Sequence, residues 1–145
     1  MLSDDNFQTF IISVILNKTE VLSDCSNFGA ANIYKKESLW VLGNLLGGES
    51  EQACEIVIHT KNVFERIIEL CSQQTDFQVR TQALVCLYNL CENHQNKYLP
   101  IVIAKHPETV FIDVLQNYET HDPYTLKIAL SFLSLICEKY GDQAI

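Results

Sequence analysis

Glu37-Ser38-Leu39-Trp40-Val41-Leu42-Gly43-Asn44-Leu45-Leu46 decides the fold, because the chain writes a version of it twice more. The second version is Gln82-Ala83-Leu84-Val85-Cys86-Leu87-Tyr88-Asn89-Leu90-Cys91, and the third is Ile128-Ala129-Leu130-Ser131-Phe132-Leu133-Ser134-Leu135-Ile136-Cys137. Without gaps, Leu39, Leu84 and Leu130 fall in line, as do Leu42, Leu87 and Leu133, at spacings of 45 and 46 residues. Leu39, Leu42, Leu45 and Leu46 lie at helical steps on one face, and Leu84, Leu87, Leu90 and Cys91 repeat it. The third segment is apolar nearly all round, which predicts a helix buried on more than one side. Repetition at roughly 40–47 residues marks stacked helical units that bury one continuous core.

Working outward, the punctuation agrees with helices. Asp122-Pro123 places a cap before a proline at the first helical position, and Thr75-Asp76 precedes the second long helix in the same way. Pro107 opens a short helix; Gly47-Gly48 and Gly141 close the first and third long ones. Shorter helices are expected at 51–59, 63–71, 98–105 and 109–118, and a lone partner, Phe7 to Leu16, stands before the first long helix. A surface loop is expected from Asn17 to Asn32. The organisation is then a partial repeat over 1–48, full repeats over 49–94 and 95–141, and the start of a further helix at 142–145. Repeat ends expose apolar surface, so further repeats or neighbouring subunits are expected to cover both ends.

Composition narrows the function. The 145 residues are 48% hydrophobic, with few glycines and prolines, which fits an all-α chain with a packed core. A formal net charge of −8 repels phosphates, so nucleic acid is not expected as a partner and a cationic one is. Phe7 to Leu16 is too short to span a membrane, and Asp4 and Asp5 before it carry the wrong charge for a signal peptide. Six cysteines (Cys25, Cys54, Cys71, Cys86, Cys91, Cys137) fall mostly within apolar helical runs, read as reduced thiols in a cytosolic or nuclear protein. The triplet Asn17-Lys18-Thr19 matches a glycosylation acceptor, without meaning in that compartment.

The run Tyr34-Lys35-Lys36-Glu37-Ser38-Leu39-Trp40-Val41-Leu42-Gly43-Asn44 resembles the third helix of an importin-α armadillo repeat, with its Lys-Lys-Glu-x-x-Trp-x-x-x-Asn pattern. Lys97-Tyr98-Leu99 and the stretch from Lys127 to Gly141 resemble later repeats of that family. The resemblance implies a right-handed α-solenoid of about three armadillo-type repeats whose third helices line a concave groove. It also implies an extended basic peptide, of the nuclear-localisation type, lying along Glu37, Trp40, Asn44, Gln82, Val85 and Asn89. Asn amides would bond the peptide main chain, and Trp rings would flank lysine stems. Trp occurs once; the second copy has Val85 in its place and Gln82 in place of Glu37, and the third is read as Ile128, Ser131 and Leu135.

The residues themselves support part of this. Glu37, Trp40 and Asn44 sit three and four apart on one helix face and offer a carboxylate, an aromatic ring and an amide to a lysine and its backbone. Trp40 has a competing reading as a core residue between repeats, and Asn44 and Asn89 serve equally as bonds that fix the stack. No catalytic constellation is evident, so no enzyme and no cofactor are expected. Cys91 and His94 share a face, but two ligands do not make a zinc site. The histidines (His59, His94, His106, His121) are placed near helix ends as solvated or capping groups. The competing reading is a structural solenoid subunit embedded in a large complex.

Overall fold

Lys35, Ser38, Leu39, Leu42 and Leu46 recur at three- and four-residue steps, so a helix through them turns all five to one side, and all five are buried. That helix, α1 (Phe28–Leu46), is one of three long ones among the described residues. The computed structural model describes residues 9–13, 28–72 and 76–141, with backbone alone for 28–31. Residues 9–13 are helical and bring Ile11 and Ile12 to Leu42, Leu45 and Ala53. After α1 come α2 (Gln52–His59), α3 (Val63–Leu70), α4 (Phe77–Asn96), α5 (Leu99–Ile103), α6 (Glu108–Gln116), a 3-10 turn (Tyr118–Thr120) and α7 (Pro123–Tyr140). The fold is all-α, with no strand among the described residues.

The long helices α1, α4 and α7 lie side by side, with α3 packed on α4 and α6 on α7. The hydrogen bonds between α1 and α4 give their direction. Cys86 Sγ reaches the Leu39 carbonyl, Asn89 Nδ2 that of Gly43, and Asn93 Nδ2 that of Leu46, across separations of 47, 46 and 47 residues. Antiparallel neighbours keep the sum of their numbers constant; a constant difference means the two helices run parallel. α4 and α7 do the same: Thr81 Oγ1 meets Thr125 Oγ1 at 3.0 Å near their starts, and Glu92 shares a groove with Glu138 near their ends. α1 and α4 pack against each other at Gly43, where a Cβ would meet Val85 Cγ1 at 3.6 Å and Cys86 Sγ at 3.7 Å, ordinary contact distances.

Burial corrects the alignment of the third copy. Leu39 and Leu84 are wholly buried, whereas Leu130 is 58% exposed. Ala129 and Phe132 occupy the core positions of Leu39/Leu84 and Leu42/Leu87, so the spacing is 45 residues in both steps. Matching leucine to leucine misplaced the register because α7 carries leucine on both sides. Its core line is a small residue followed by a large one, and Phe132 fills the space by stacking on Phe111, ring centroids 3.8 Å apart. For the same reason α7 is not buried on several sides: Leu130 and Cys137 are exposed, and Leu133, Leu135 and Ile136 are half-buried.

Other expectations shift with the backbone. The loop expected to reach Asn32 is helical from Phe28 onward, where Ala30 and Ala31 favour helix strongly; the rest of that loop, Asn17 and Cys25 lie outside the described residues. Asp76 caps α4 by accepting from the Gln78 and Val79 amides, and Asp122 caps α7 by accepting from the Thr125 amide at 2.7 Å. Gly141 ends α7 in right-handed rather than left-handed conformation. The regular part of α4 stops at Asn93, after which His94, Gln95 and Asn96 have positive φ. This break removes the shared helix face expected for Cys91 and His94.

A polar knot follows the break. Lys97 Nζ lies 2.7 Å from Glu51 Oε2, and the buried Tyr98 donates its hydroxyl to Glu55 Oε1 and Glu51 Oε2. The Lys97 hydrogen bond holds the Glu51 carboxyl below its ordinary range, and the Tyr98 hydrogen bond does so for Glu55. Burial pushes the Cys54 thiol up to about 11 and the Cys91 thiol to about 12, so both stay protonated hydrophobes at neutral pH. All five described cysteines are free.

Candidate peptide-binding groove

The face opposite the core carries the candidate site. Stepping by 45 residues, it presents three rungs: Glu37, Gln82 and Lys127; Trp40, Val85 and Leu130; Asn44, Asn89 and Ser134. Ile128, Ser131 and Leu135, read from sequence as the third-helix members, are not those positions, and Ile128 faces the core. Each member of the three rungs is exposed or half-exposed, so the register that buries one side of each helix leaves the other open.

Trp40 is 54% exposed and lines a groove of about 440 Å³ between α1, α4 and the start of α7. Glu37 and Gln82 line it too, so three of the six predicted residues converge there. The other three do not. Asn44 is exposed one turn further along α1, and Val85 is half-buried beside Gly43. Asn89 spends its amide on α1, donating to the Gly43 carbonyl at 2.9 Å. Of the two roles weighed for it, the bond that joins neighbouring helices is the one observed.

Six groove residues were not among the predicted site residues: Lys36, Phe77, Gln78, Thr81, Asp122 and Tyr124. The signal for Thr81 was present, one residue from Gln82 at the mouth of α4. For Asp122 and Tyr124 nothing in the spacing shows that the start of α7 closes the groove. The walls thus hold three aromatic rings (Trp40, Phe77, Tyr124) and two carboxylates (Glu37, Asp122), against one cation, Lys36, which sits 3.3 Å from Glu37. Hydrogen bonds from Thr125 hold the Asp122 carboxyl below its ordinary range, so it is charged at neutral pH. Aromatic faces beside carboxylates attract a cation with an apolar stem.

Behind the groove, Phe77 is backed by two buried side chains. Its ring stacks on His121 with centroids 6.0 Å apart, and the Arg80 guanidinium lies 5.6 Å from its centre. His121, expected at the surface, is buried with its Nδ1 3.5 Å from Arg80 Nη2. Burial first, and Arg80 second, lower the His121 pKa, against weaker opposing pulls from Asp113 and Asp122. A folded pKa below the unfolded value of about 6.5 means that the unfolded chain binds the proton more readily. The stabilisation is therefore complete above that value and is lost as pH falls through the folded pKa. The urea midpoint is expected to drop between pH 7.5 and 5.5, and to drop less in His121→Gln; an equal drop in both proteins assigns the effect elsewhere.

No family model, curated protein or solved structure matches the chain. Among the described residues no three His, Cys, Asp or Glu side chains are grouped to hold a metal ion. No described helix is long and apolar enough to cross a membrane.

Proposed function

We propose that the chain is an armadillo-type α-solenoid that binds an extended, basic segment of a partner protein in the groove at Trp40, in the manner of importin-α. It serves there as an adaptor rather than a catalyst, in the cytoplasm or nucleus. Parallel neighbouring long helices at a 45-residue step support the solenoid reading. The exposed Trp40 beside Glu37 and Asp122 carries the functional one, since a tryptophan packed between repeats would not be half open to water. A lysine stem lying on Trp40 with its ammonium between the two carboxylates satisfies both the ring and the charge.

The test is a titration of a lysine-rich peptide followed by emission of Trp40, the single tryptophan. Binding is expected to perturb the emission and to weaken as salt rises. In Trp40→Ala, followed by anisotropy of a labelled peptide, affinity is expected to fall about 2- to 30-fold, the worth of a cation over an indole. Equal affinity in Trp40→Ala excludes this groove. The scaffold reading has one observation of its own: Leu130 is exposed, and Leu133 and Ile136 half-exposed, along α7. It predicts that the peptide leaves Trp40 emission unchanged while the isolated chain self-associates.

A further inference from the structure

Within the peptide-binding reading, the outermost rung carries more information than a basic ligand alone requires. Its members Glu37, Gln82 and Lys127 change from anionic to neutral to cationic across α1, α4 and α7. Glu37 and Gln82 line the groove itself. Lys127 lies one turn beyond Tyr124, which lines that groove, and one turn before Leu130 and Ser131, which line a second groove between α4 and α7. It is exposed and makes no ion pair or hydrogen bond with any described residue. A free ammonium at this position opposes a second lysine of the ligand and attracts a carboxylate.

We infer that the groove selects a charge-asymmetric segment, with a lysine or arginine in the Trp40 slot and an acidic residue over Lys127. The spacing follows from the helices. Packed neighbours lie about 8–10 Å apart, so α1 to α7 is at most about 20 Å. An extended chain covers roughly 3.3–3.6 Å per residue, which places the acidic residue about five positions from the basic one. An all-basic segment meets repulsion at this third member of the rung, so Lys127 discriminates among segments that the Trp40 slot alone accepts.

The experiment uses the full chain, Lys127→Glu, and three labelled peptides that share one lysine. The position five residues away is Glu, Gln or Lys, and each peptide is made in both chain directions. The natural chain is expected to favour the Glu peptide over the Gln peptide by about 1.4- to 5-fold at low salt, the range of exposed ion pairs. Lys127→Glu is expected to reverse the order and favour the Lys peptide, and the discrimination should vanish in high salt. Circular dichroism is the check that this surface variant folds. If all three peptides bind equally and Lys127→Glu changes nothing, the inference falls while the basic-segment reading stands. If none binds to either protein, both fall.

Discussion

Phe132→Ala is expected to cost about 3–5 kcal/mol, a large part of the total stability of a domain this size. The side chain is wholly buried and stacked on Phe111, and it joins α7 to α6. Its loss leaves a cavity beside the wholly buried Phe111, between α6 and α7. The damage should be uneven. Leu39, Leu42, Leu84 and Leu87 hold α1 to α4 without Phe132, so α7 is expected to loosen first. Urea unfolding followed by circular dichroism should then begin at a lower concentration than unfolding followed by Trp40 emission on α1. Leu133→Ala is the control. Leucine-to-leucine alignment puts Leu133 in the core position of Leu42 and Leu87, whereas it is half-buried. It should cost about 1 kcal/mol or less, in keeping with a partly exposed site. Reversed costs would restore the 46-residue register and dissolve the rungs built on the 45-residue one.

That pair of variants also marks where the sequence stopped being legible. The three long helices, their caps at Asp76 and Asp122 and the buried leucines of α1 and α4 follow from helical period and turn chemistry, which are local. The third register does not, because α7 offers two leucine-bearing faces and only the ring of Phe111, on another helix, selects between them. The site divides in the same way. Glu37 and Trp40 were visible as one face of one helix. Asp122 and Tyr124 enter the groove only because α7 begins beside α4, a matter of tertiary position. Asn89 stands out in the sequence as an amide with a task, but its partner, the Gly43 carbonyl, is set by how α1 packs on α4. His121 looked like a surface residue of a helix start; burial beside Arg80 is again a property of the packed neighbours.

Asn93→Ala should destabilise the chain by about 1–3 kcal/mol, because the part-buried Gly48 carbonyl loses its side-chain donor and the Leu46 carbonyl keeps only the weak Cys54 thiol. Its Nδ2 donates to the carbonyls of Leu46 at 2.8 Å and Gly48 at 2.7 Å, where α1 ends and its last carbonyls have no partner within the helix. Its Oδ1 accepts from the His94 amide at 3.0 Å, at the point where α4 breaks. His94, Gln95 and Asn96 then follow with positive φ, a run that costs L-residues roughly 1–2 kcal/mol each. One amide therefore closes α1, starts the left-handed turn and aims Lys97 and Tyr98 at Glu51 and Glu55. Asn89→Ala supplies the comparison. Its acceptor, the Gly43 carbonyl, also receives the Gly47 amide at 3.0 Å and stays satisfied when the side chain goes. That variant should lose only about 0.5–1.5 kcal/mol. Urea midpoints of the two variants at neutral pH decide the matter. If Asn93→Ala proves no worse than Asn89→Ala, the turn holds itself, and the junction between neighbouring long helices rests on their apolar sides alone.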